Sequence, residues 1–522
     1  MAARPPVQGR GRRLAANTIL AAGGRIAVLA LWVGFTPPIL RQLGPAMFGL
    51  WSLFLALTGY LTAFDFGLAQ GTLRFVAAAR GDGDHAAAGA HATLAVLGYL
   101  ALALAWLGAC ALLAPAVLSW LRIPIELQPV ARSAFQLGGL VFAVMGLAAV
   151  TISVVQGHDR FDLANLIVIA MVVLQALGIV WVLTRGGGLR ELIINMAIAW
   201  AGAALLGFVL IRAQLPGFRW GSPRQALAHW PEALRFGGPM QATNVLSALH
   251  AQIDKLLLSR YVALTAVASY ELGARVAVTA GSLPQLLLLS AMPEASALHA
   301  AGDRTRLLTL YQRGSRFFLA AAAVLLAPVV VAANRLYACW LGAPHPDAAL
   351  VLRGLAIAML LSLFTGMGTT LARAIGRTDI EAVYTAIAVG LHVGLSVWWV
   401  PRFGLIGALF ATLIGNAIGC VAFVVLFART LGWPLLGQVV RPFALPSLAL
   451  ALGVGAGFTV ERAFGTRFAT GSLWGLALVT GGAVAVAAAT VLISRYVRVS
   501  EVRELLGSAR SRDALALAEH ES

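Results

Sequence analysis

Long apolar stretches follow one another along almost the whole chain, with short polar segments between them. Each stretch approaches the about 20 apolar residues that a helix needs to cross the hydrocarbon core of a membrane. Backbone polar groups in lipid must be satisfied internally, so stretches of this length predict helices. The pattern predicts fourteen spans, at 14–38, 48–72, 92–114, 133–156, 163–184, 191–212, 236–258, 266–290, 316–338, 350–371, 381–400, 404–428, 443–462 and 472–494.

The chain repeats itself at a fixed offset of 219 residues. The matching pairs are Arg41 and Arg260, Trp51 and Tyr270, Gly157 and Gly376, and Asp162 and Glu381. Six helices per repeat preserve the orientation, so the halves are expected to be parallel repeats. Many transporters are built from such repeats, and their substrate site lies between the halves.

The repeat sets the expected domain organisation. Two six-helix bundles are predicted at 1–212 and 236–430, followed by two extra helices at 431–494 and a cytoplasmic tail at 495–522. The segment at 213–235 is predicted to be a cytoplasmic linker between the bundles. From residue 222 to residue 236 this segment mixes aromatic and basic side chains. It is either an amphipathic helix on the membrane surface or a plain solvated link.

Composition excludes an ordinary soluble protein. The 522 residues are 60% apolar and 11% charged, with a mean hydropathy of +0.85, whereas soluble domains are about 45–50% apolar and about 25% charged. The net charge of +17 is spread over loops on both faces, which predicts no nucleic-acid partner. Loops on the side of the N-terminus carry roughly twice as many basic residues as the opposite loops, which predicts cytoplasmic termini.

The few reactive side chains exclude several chemistries. Lys255 is the single lysine, and it does not follow a glycine, so the chain has no phosphate-binding loop of the Walker A type. Cys110, Cys339 and Cys420 lie far apart and show no metal-ligand spacing. No nucleophile–base pair stands out either. We therefore predict a protein that is not an enzyme and has neither a cofactor nor a metal.

Ionisable groups inside the predicted spans are the candidates for function, because such groups are costly in a membrane. They are Arg25, Asp65, Asp254, Glu271 and Arg275, and Lys255 lies next to Asp254. Arg25 has no acidic residue three or four positions away on its helix, so it needs a carboxylate, a carbonyl or a phosphate from elsewhere as its partner. Arg275 lies four residues after Glu271, where the two either pair with each other or bind a substrate.

Three of the other candidates have structural interpretations, and two of them have a functional one as well. Asp254 is expected either to cap the end of the seventh helix or to form a neutralised pair with Lys255 next to it. Asp65 either fixes a helix end or titrates with a coupled proton. Asn244 either binds sugar hydroxyls or forms a hydrogen bond between helices.

Several segments resemble the polysaccharide transporters of the multidrug/oligosaccharidyl-lipid/polysaccharide exporter superfamily. They are ILRQLG at 39–44, FGLW at 48–51, LTAFDFGL at 61–68 and IDKLLLSR at 253–260. The resemblance implies an all-α, MATE-like membrane protein that flips undecaprenyl-pyrophosphate-linked oligosaccharide across a bacterial inner membrane, for O-antigen or exopolysaccharide synthesis. It also implies membrane lipids, a polysaccharide polymerase and glycosyltransferases as partners.

The resemblance bears on the candidate residues as well. Arginines on the first and eighth helices line the cavity of lipid II flippases in this superfamily, and Arg25 and Arg275 lie on those helices. The second helix lacks the arginine that those flippases use, so Lys255 or Arg74 would be the third phosphate ligand. A cation-coupled multidrug exporter and a lipid II flippase are the alternatives on the same fold. A membrane-bound polymerase or ligase is disfavoured by the short outer loops.

Overall fold

The structure of the chain is a computed structural model, and it contains helices joined by short turns. It describes residues 8–288, 291–464, 467–494 and 496, and only the backbone of residues 8–30, 239, 240, 242, 243, 286 and 436. None of these residues forms a β-strand. The chain divides into two compact units, Met1–Ala268 and Ser269–Ser522. The predicted linker lies within the first of them, and the predicted domain bounds stay a prediction.

Nine α-helices begin within the described part of the first unit. They are α1 (Gln8–Ala63), α2 (Leu68–Asp82), α3 (His85–Trp120), α4 (Gln128–Gly157), α5 (Phe161–Thr184), α6 (Leu189–Gln214), α7 (Pro223–Ala228), α8 (Trp230–Tyr261) and α9 (Leu264–Gln285). Helix α9 continues into the second unit. The predicted linker is thus partly helical, because α7 and the start of α8 occupy it.

The second unit adds the remaining helices. They are α10 (Ala291–Ala300), α11 (Arg304–Val331), α12 (Ala333–Leu341), α13 (Pro346–Leu363), α14 (Gly366–Ala374), α15 (Thr378–Leu431), α16 (Arg441–Phe464) and α17 (Leu473–Ile493). The predicted extra helices correspond to α16 and α17. Arg335 of α12 binds Glu461 of α16 at 2.6 Å, so a buried arginine ties α16 to the rest of this unit.

The described residues contain ten helical segments long and apolar enough to span a membrane. This confirms an all-α polytopic membrane protein, while the count of fourteen spans stays a prediction. The segment Thr378–Leu431 covers two predicted spans, and Leu31–Asp82 covers the second predicted span and the end of the first. Two more predicted spans correspond to α8 and α9, whose apolar stretches are interrupted by polar and charged side chains.

Glycines mark the joints inside the two longest helices. Gly44 in α1 has a φ of 73° and Gly404 in α15 has a φ of 57°, so neither residue is helical. Positive φ is available to glycine at little cost. Pro45 and Pro401 lie beside these joints and remove a backbone donor from each helix. Each long helix is therefore two helices with a sharp joint.

The turns that contain Gly157 and Gly376, one in each unit, have similar ion pairs. Arg160 binds Asp162 at 3.0 Å, and Arg377 binds Asp379 at 2.8 Å. Hydrogen bonds to these carboxylates raise the pKa of both guanidinium groups. Arg80 at the end of α2 also binds Asp159 of the first turn, and Arg373 at the end of α14 binds Glu381 at the start of α15. This likeness within the two turns supports the internal repeat.

Close backbone contact is a feature of the first unit at Gly49, in the FGLW segment. A Cβ at this position would lie 1.9 Å from the carbonyl oxygen of Leu264 at the start of α9. A backbone atom cannot turn aside as the end of a side chain can. Small residues at helix interfaces allow such approach, and packing supplies much of the helix–helix stability in lipid.

We expect Gly49→Ala to lower the free energy of unfolding by about 1–3 kcal/mol, the usual effect of overpacking. The measurement is the thermal stability of the purified protein in detergent. Gly34→Ala is the matched control, because nothing lies within 4 Å of the Cβ that it adds. Equal stability of the two variants would contradict the close approach.

Candidate functional site

The second predicted span, 48–72, contains a break in the helix. The break lies between the end of α1 at Ala63 and the start of α2 at Leu68. Phe66 and Gly67 have positive φ values of 53° and 67° at this break. Asp65 holds it in place, because its Oδ1 accepts a hydrogen bond from the Gly67 backbone nitrogen at 2.8 Å. The Tyr99 hydroxyl donates to the other carboxylate oxygen at 2.8 Å. These contacts agree with the interpretation that Asp65 fixes a helix end.

Gln241 of α8 completes the hydrogen bonding of the same break. Its Oε1 accepts from the Phe66 backbone nitrogen at 3.0 Å, and its Nε2 donates to the Ala63 carbonyl at 2.8 Å. Gly237 lies one turn earlier, and a Cβ there would lie 1.9 Å from the Phe66 carbonyl oxygen. Non-helical backbone at membrane depth needs such partners. In the sequence Gln241 is only one of several polar residues in an apolar stretch.

Asp254 and Lys255 lie buried near the end of α8. Asp254 is 1% exposed and Lys255 is 6% exposed. The Lys255 Nζ donates to Gln252 Oε1 at 2.8 Å, and Gln252 also packs beside Gly59 of α1. Burying a charge is costly unless it is paired and hydrogen-bonded. The surroundings of Lys255 therefore provide a polar contact for its ammonium group inside a helical membrane unit.

Three further predicted residues lie elsewhere in the first unit. Asn244 is half-buried on α8, three residues after Gln241. Arg25 belongs to α1, and its side chain lies outside the described residues. Arg74, the other proposed phosphate ligand, has its guanidinium 4.6 Å from the centre of the Phe236 ring. It thus makes a cation–π contact within this unit.

Glu271 and Arg275 form the predicted ion pair on α9, within the second unit. The Arg275 Nε donates to Glu271 Oε1. The Glu271 side chain is 7% exposed and that of Arg275 is 20% exposed. A carboxylate four residues before an arginine suits this contact on a helix. Arg275 therefore remains partly accessible while its charge is balanced.

The second unit also contains an arginine-lined cavity that sequence reasoning missed. Its volume is about 620 Å³, and Arg313 and Arg316 of α11 and Arg441 of α16 line it. None of the described lining residues is acidic. The Arg316 guanidinium lies 5.0 Å from the Tyr496 ring centre. Arginine donors in this arrangement suit an anion such as a phosphate. The signal was present as arginines at the ends of two spans.

Solved structures of membrane transporters share this architecture. The chain is similar to a lipid II flippase, MurJ, in an inward closed conformation, with 15% identity over 91% of this chain and 98% of that one, at a TM-score of 0.68. It is also similar to an inward-facing multidrug resistance MATE transporter of the MOP superfamily, with 16% identity over 77% of this chain and 94% of that one, at a TM-score of 0.63. An outward-facing multidrug resistance MATE transporter of the MOP superfamily is similar as well. It shares 17% identity over 82% of this chain and 97% of that one, at a TM-score of 0.54.

These likenesses define the class as a multi-pass helical membrane protein with a MATE-like fold, as the sequence resemblance implied. No curated protein sequence matches the chain. A family model does match residues 14–295, and its description is polysaccharide biosynthesis protein. The chain belongs to this polysaccharide biosynthesis family.

Proposed function

We propose that the protein flips undecaprenyl-pyrophosphate-linked oligosaccharide repeat units across a bacterial inner membrane by alternating access. The units would then serve surface polysaccharide synthesis. The family match over residues 14–295 is the observation that carries this proposal, because it points to polysaccharide biosynthesis. A helical membrane fold that resembles transporters points to movement of a substrate rather than to its chemical conversion.

The proposed roles of the charged side chains follow from the substrate's pyrophosphate. Arg25, Lys255 and Arg275 would bind phosphate oxygens, for which arginine offers bidentate donors. Glu271 would hold Arg275 in place between substrates, as its ion pair allows. Asp254 would balance Lys255, and Asp65 would keep the helix break in shape. Asn244 would contact sugar hydroxyls.

The proposal includes the setting of the protein. Both termini would lie in the cytoplasm, because basic loops concentrate on that side of membrane proteins. Glycosyltransferases would supply the lipid-linked unit on the cytoplasmic face, and a polymerase would consume it on the periplasmic face. Membrane lipids would surround the helices throughout. The reaction needs no cofactor.

A second candidate is the flipping of lipid II, favoured by the likeness to MurJ over 91% of this chain. The same cationic side chains would bind either substrate. A multidrug exporter is a third function found on this fold. The three differ in which molecule accumulates when the gene is lost, and one deletion strain separates them.

Deleting the gene in the native host should trap lipid-linked repeat units in the cytoplasmic leaflet and abolish the surface polysaccharide. Mass spectrometry of lipid extracts, with a membrane-impermeant probe for leaflet location, measures both effects.

Arg25→Ala should fail to restore the polysaccharide and Arg25→Lys should restore part of it, because lysine keeps the charge without the planar donors.

The opposing outcomes identify the other candidates. Accumulation of lipid II with arrested growth would support the second function. Increased drug sensitivity with unchanged polysaccharide would support the exporter. Full restoration of the surface polysaccharide by Arg25→Ala would remove Arg25 from the site. The flippase proposal itself would still be tested by the deletion strain.

A further inference from the structure

Three potential metal ligands meet where the segment before α8 packs against α3 in the first unit. His91 lies on α3, His229 lies between α7 and α8, and Glu232 lies in the first turn of α8. One ligand atom from each lies within 4.8 Å of the other two. The three burial states differ: the His91 side chain is 5% exposed, that of His229 33% and that of Glu232 55%.

The spacing of these atoms suits coordination better than hydrogen bonding. His91 Nε2 lies 3.4 Å from Glu232 Oε2, and His229 Nδ1 lies 3.5 Å from the same oxygen. Hydrogen bonds between nitrogen and oxygen are usually about 2.7–3.2 Å long. Ligands bound tetrahedrally at about 2.0–2.1 Å lie about 3.3–3.4 Å apart, as zinc geometry requires. Both measured separations are close to that edge length.

Packing around the ligands limits their movement. The His91 ring stacks on Phe75, with ring centres 4.2 Å apart and an interplanar angle of 12°. Its Nδ1 is buried without a hydrogen-bond partner among the described residues, so Nε2 is the nitrogen directed at polar atoms. The centres of the His91 and His229 rings lie 4.4 Å apart.

The backbone before α7 is also held against α3. The Thr93 hydroxyl donates to the Gly221 carbonyl at 3.2 Å. A Cβ on Gly89 would lie 1.8 Å from the Arg219 carbonyl oxygen, so the two backbones are in close contact. Ser222 caps α7 through its contacts with Gln225. The position of His229 and Glu232 therefore depends on several contacts that involve no metal.

We propose that His91, His229 and Glu232 bind one divalent transition-metal ion of the zinc class, with water in the fourth position. Two imidazoles and one carboxylate are a ligand set that zinc accepts. The bound ion would fasten residues 219–235 to α3. Sequence reasoning predicted no metal site because its ligands come from positions 91, 229 and 232, which no spacing motif connects.

The test is zinc binding to the full-length protein, purified in detergent without a polyhistidine tag and freed of metal. Competition with a chromogenic zinc chelator should give one ion per chain for the wild type at pH 7.5. His229→Ala and Glu232→Gln should lose this stoichiometric binding. His85→Ala is the matched control, because it removes an exposed histidine at the start of α3, the helix that contains His91. This variant should still bind one ion.

A second measurement reports the fastening itself. Arg224 and Arg235 are exposed on either side of His229, and trypsin cleaves after arginine. Zinc should slow cleavage at these two positions at least severalfold in the wild type and in His85→Ala, and it should leave the rate unchanged in His229→Ala. X-ray absorption of the zinc-loaded protein should show two imidazole ligands.

Either of two results would overturn the proposal: binding that survives both His229→Ala and Glu232→Gln, or no stoichiometric binding by folded wild type. The second would leave an electrostatic contact between histidine and glutamate as the role of the cluster. His91→Gln serves as a third variant, with elution volume on size exclusion as the check that it folds. The flippase proposal is independent of these outcomes.

Discussion

Replacing Glu271 by Gln should greatly reduce the amount of folded protein. The change removes the carboxylate that binds Arg275 on α9 while the arginine keeps its charge. Removing one partner of a buried ion pair typically costs about 3–5 kcal/mol. The partial exposure of Arg275, at 20%, places the expected loss near the lower end. Fluorescence-detected size exclusion in detergent, with a thermal ramp, measures it.

The double variant Glu271→Gln/Arg275→Gln decides what the pair is for. Neutralising both side chains removes the unbalanced charge, so the amount of folded protein should return close to that of the wild type. If Arg275 binds the pyrophosphate, the folded double variant should still fail to restore surface polysaccharide in the deletion strain. Normal polysaccharide in that strain would show instead that the pair has a purely structural role.

A conservative variant serves as the control for this series. Arg275→Lys keeps a positive charge near Glu271 but loses the planar donors. It should fold like the wild type and flip substrate at a reduced rate. A rate equal to that of the wild type would argue against bidentate binding by Arg275.

Local spacing made part of this site predictable from the sequence. Glu271 and Arg275 are four residues apart on a helix, and such neighbours meet whatever the rest of the fold does. The cap formed by Asp65 was likewise foreseeable, because aspartate readily binds a backbone nitrogen two residues on. The long apolar stretches predicted an all-α membrane protein for the same reason: length and hydropathy are local properties.

Contacts between distant segments were not predictable in this way. Gln241 reaches the helix break at Phe66 across 175 positions, and only the tertiary packing of α8 places it there. The three potential metal ligands meet through the same packing. In the sequence Arg313 and Arg441 are only charges near the ends of two spans, yet the fold of the second unit places both at one cavity.

We expect Gln241→Met to lower the free energy of unfolding by about 2–4 kcal/mol. Methionine has nearly the same length and shape, but it can neither accept from the Phe66 nitrogen nor donate to the Ala63 carbonyl as Gln241 does. A buried polar group left unsatisfied costs about 1–3 kcal/mol. Thermal unfolding of the purified protein measures the loss, and stability equal to that of the wild type would contradict it.

Asn244→Leu is the comparison that separates folding from transport on α8. It makes a similar polar-to-apolar change one turn from Gln241, at a half-buried position. If Asn244 contacts the substrate's sugar hydroxyls, this variant should fold normally and flip less substrate. Gln241→Met should lose transport only in proportion to its folded amount. Because the two residues share one helix, opposite outcomes would place the structural role at the break and the substrate role one turn further along.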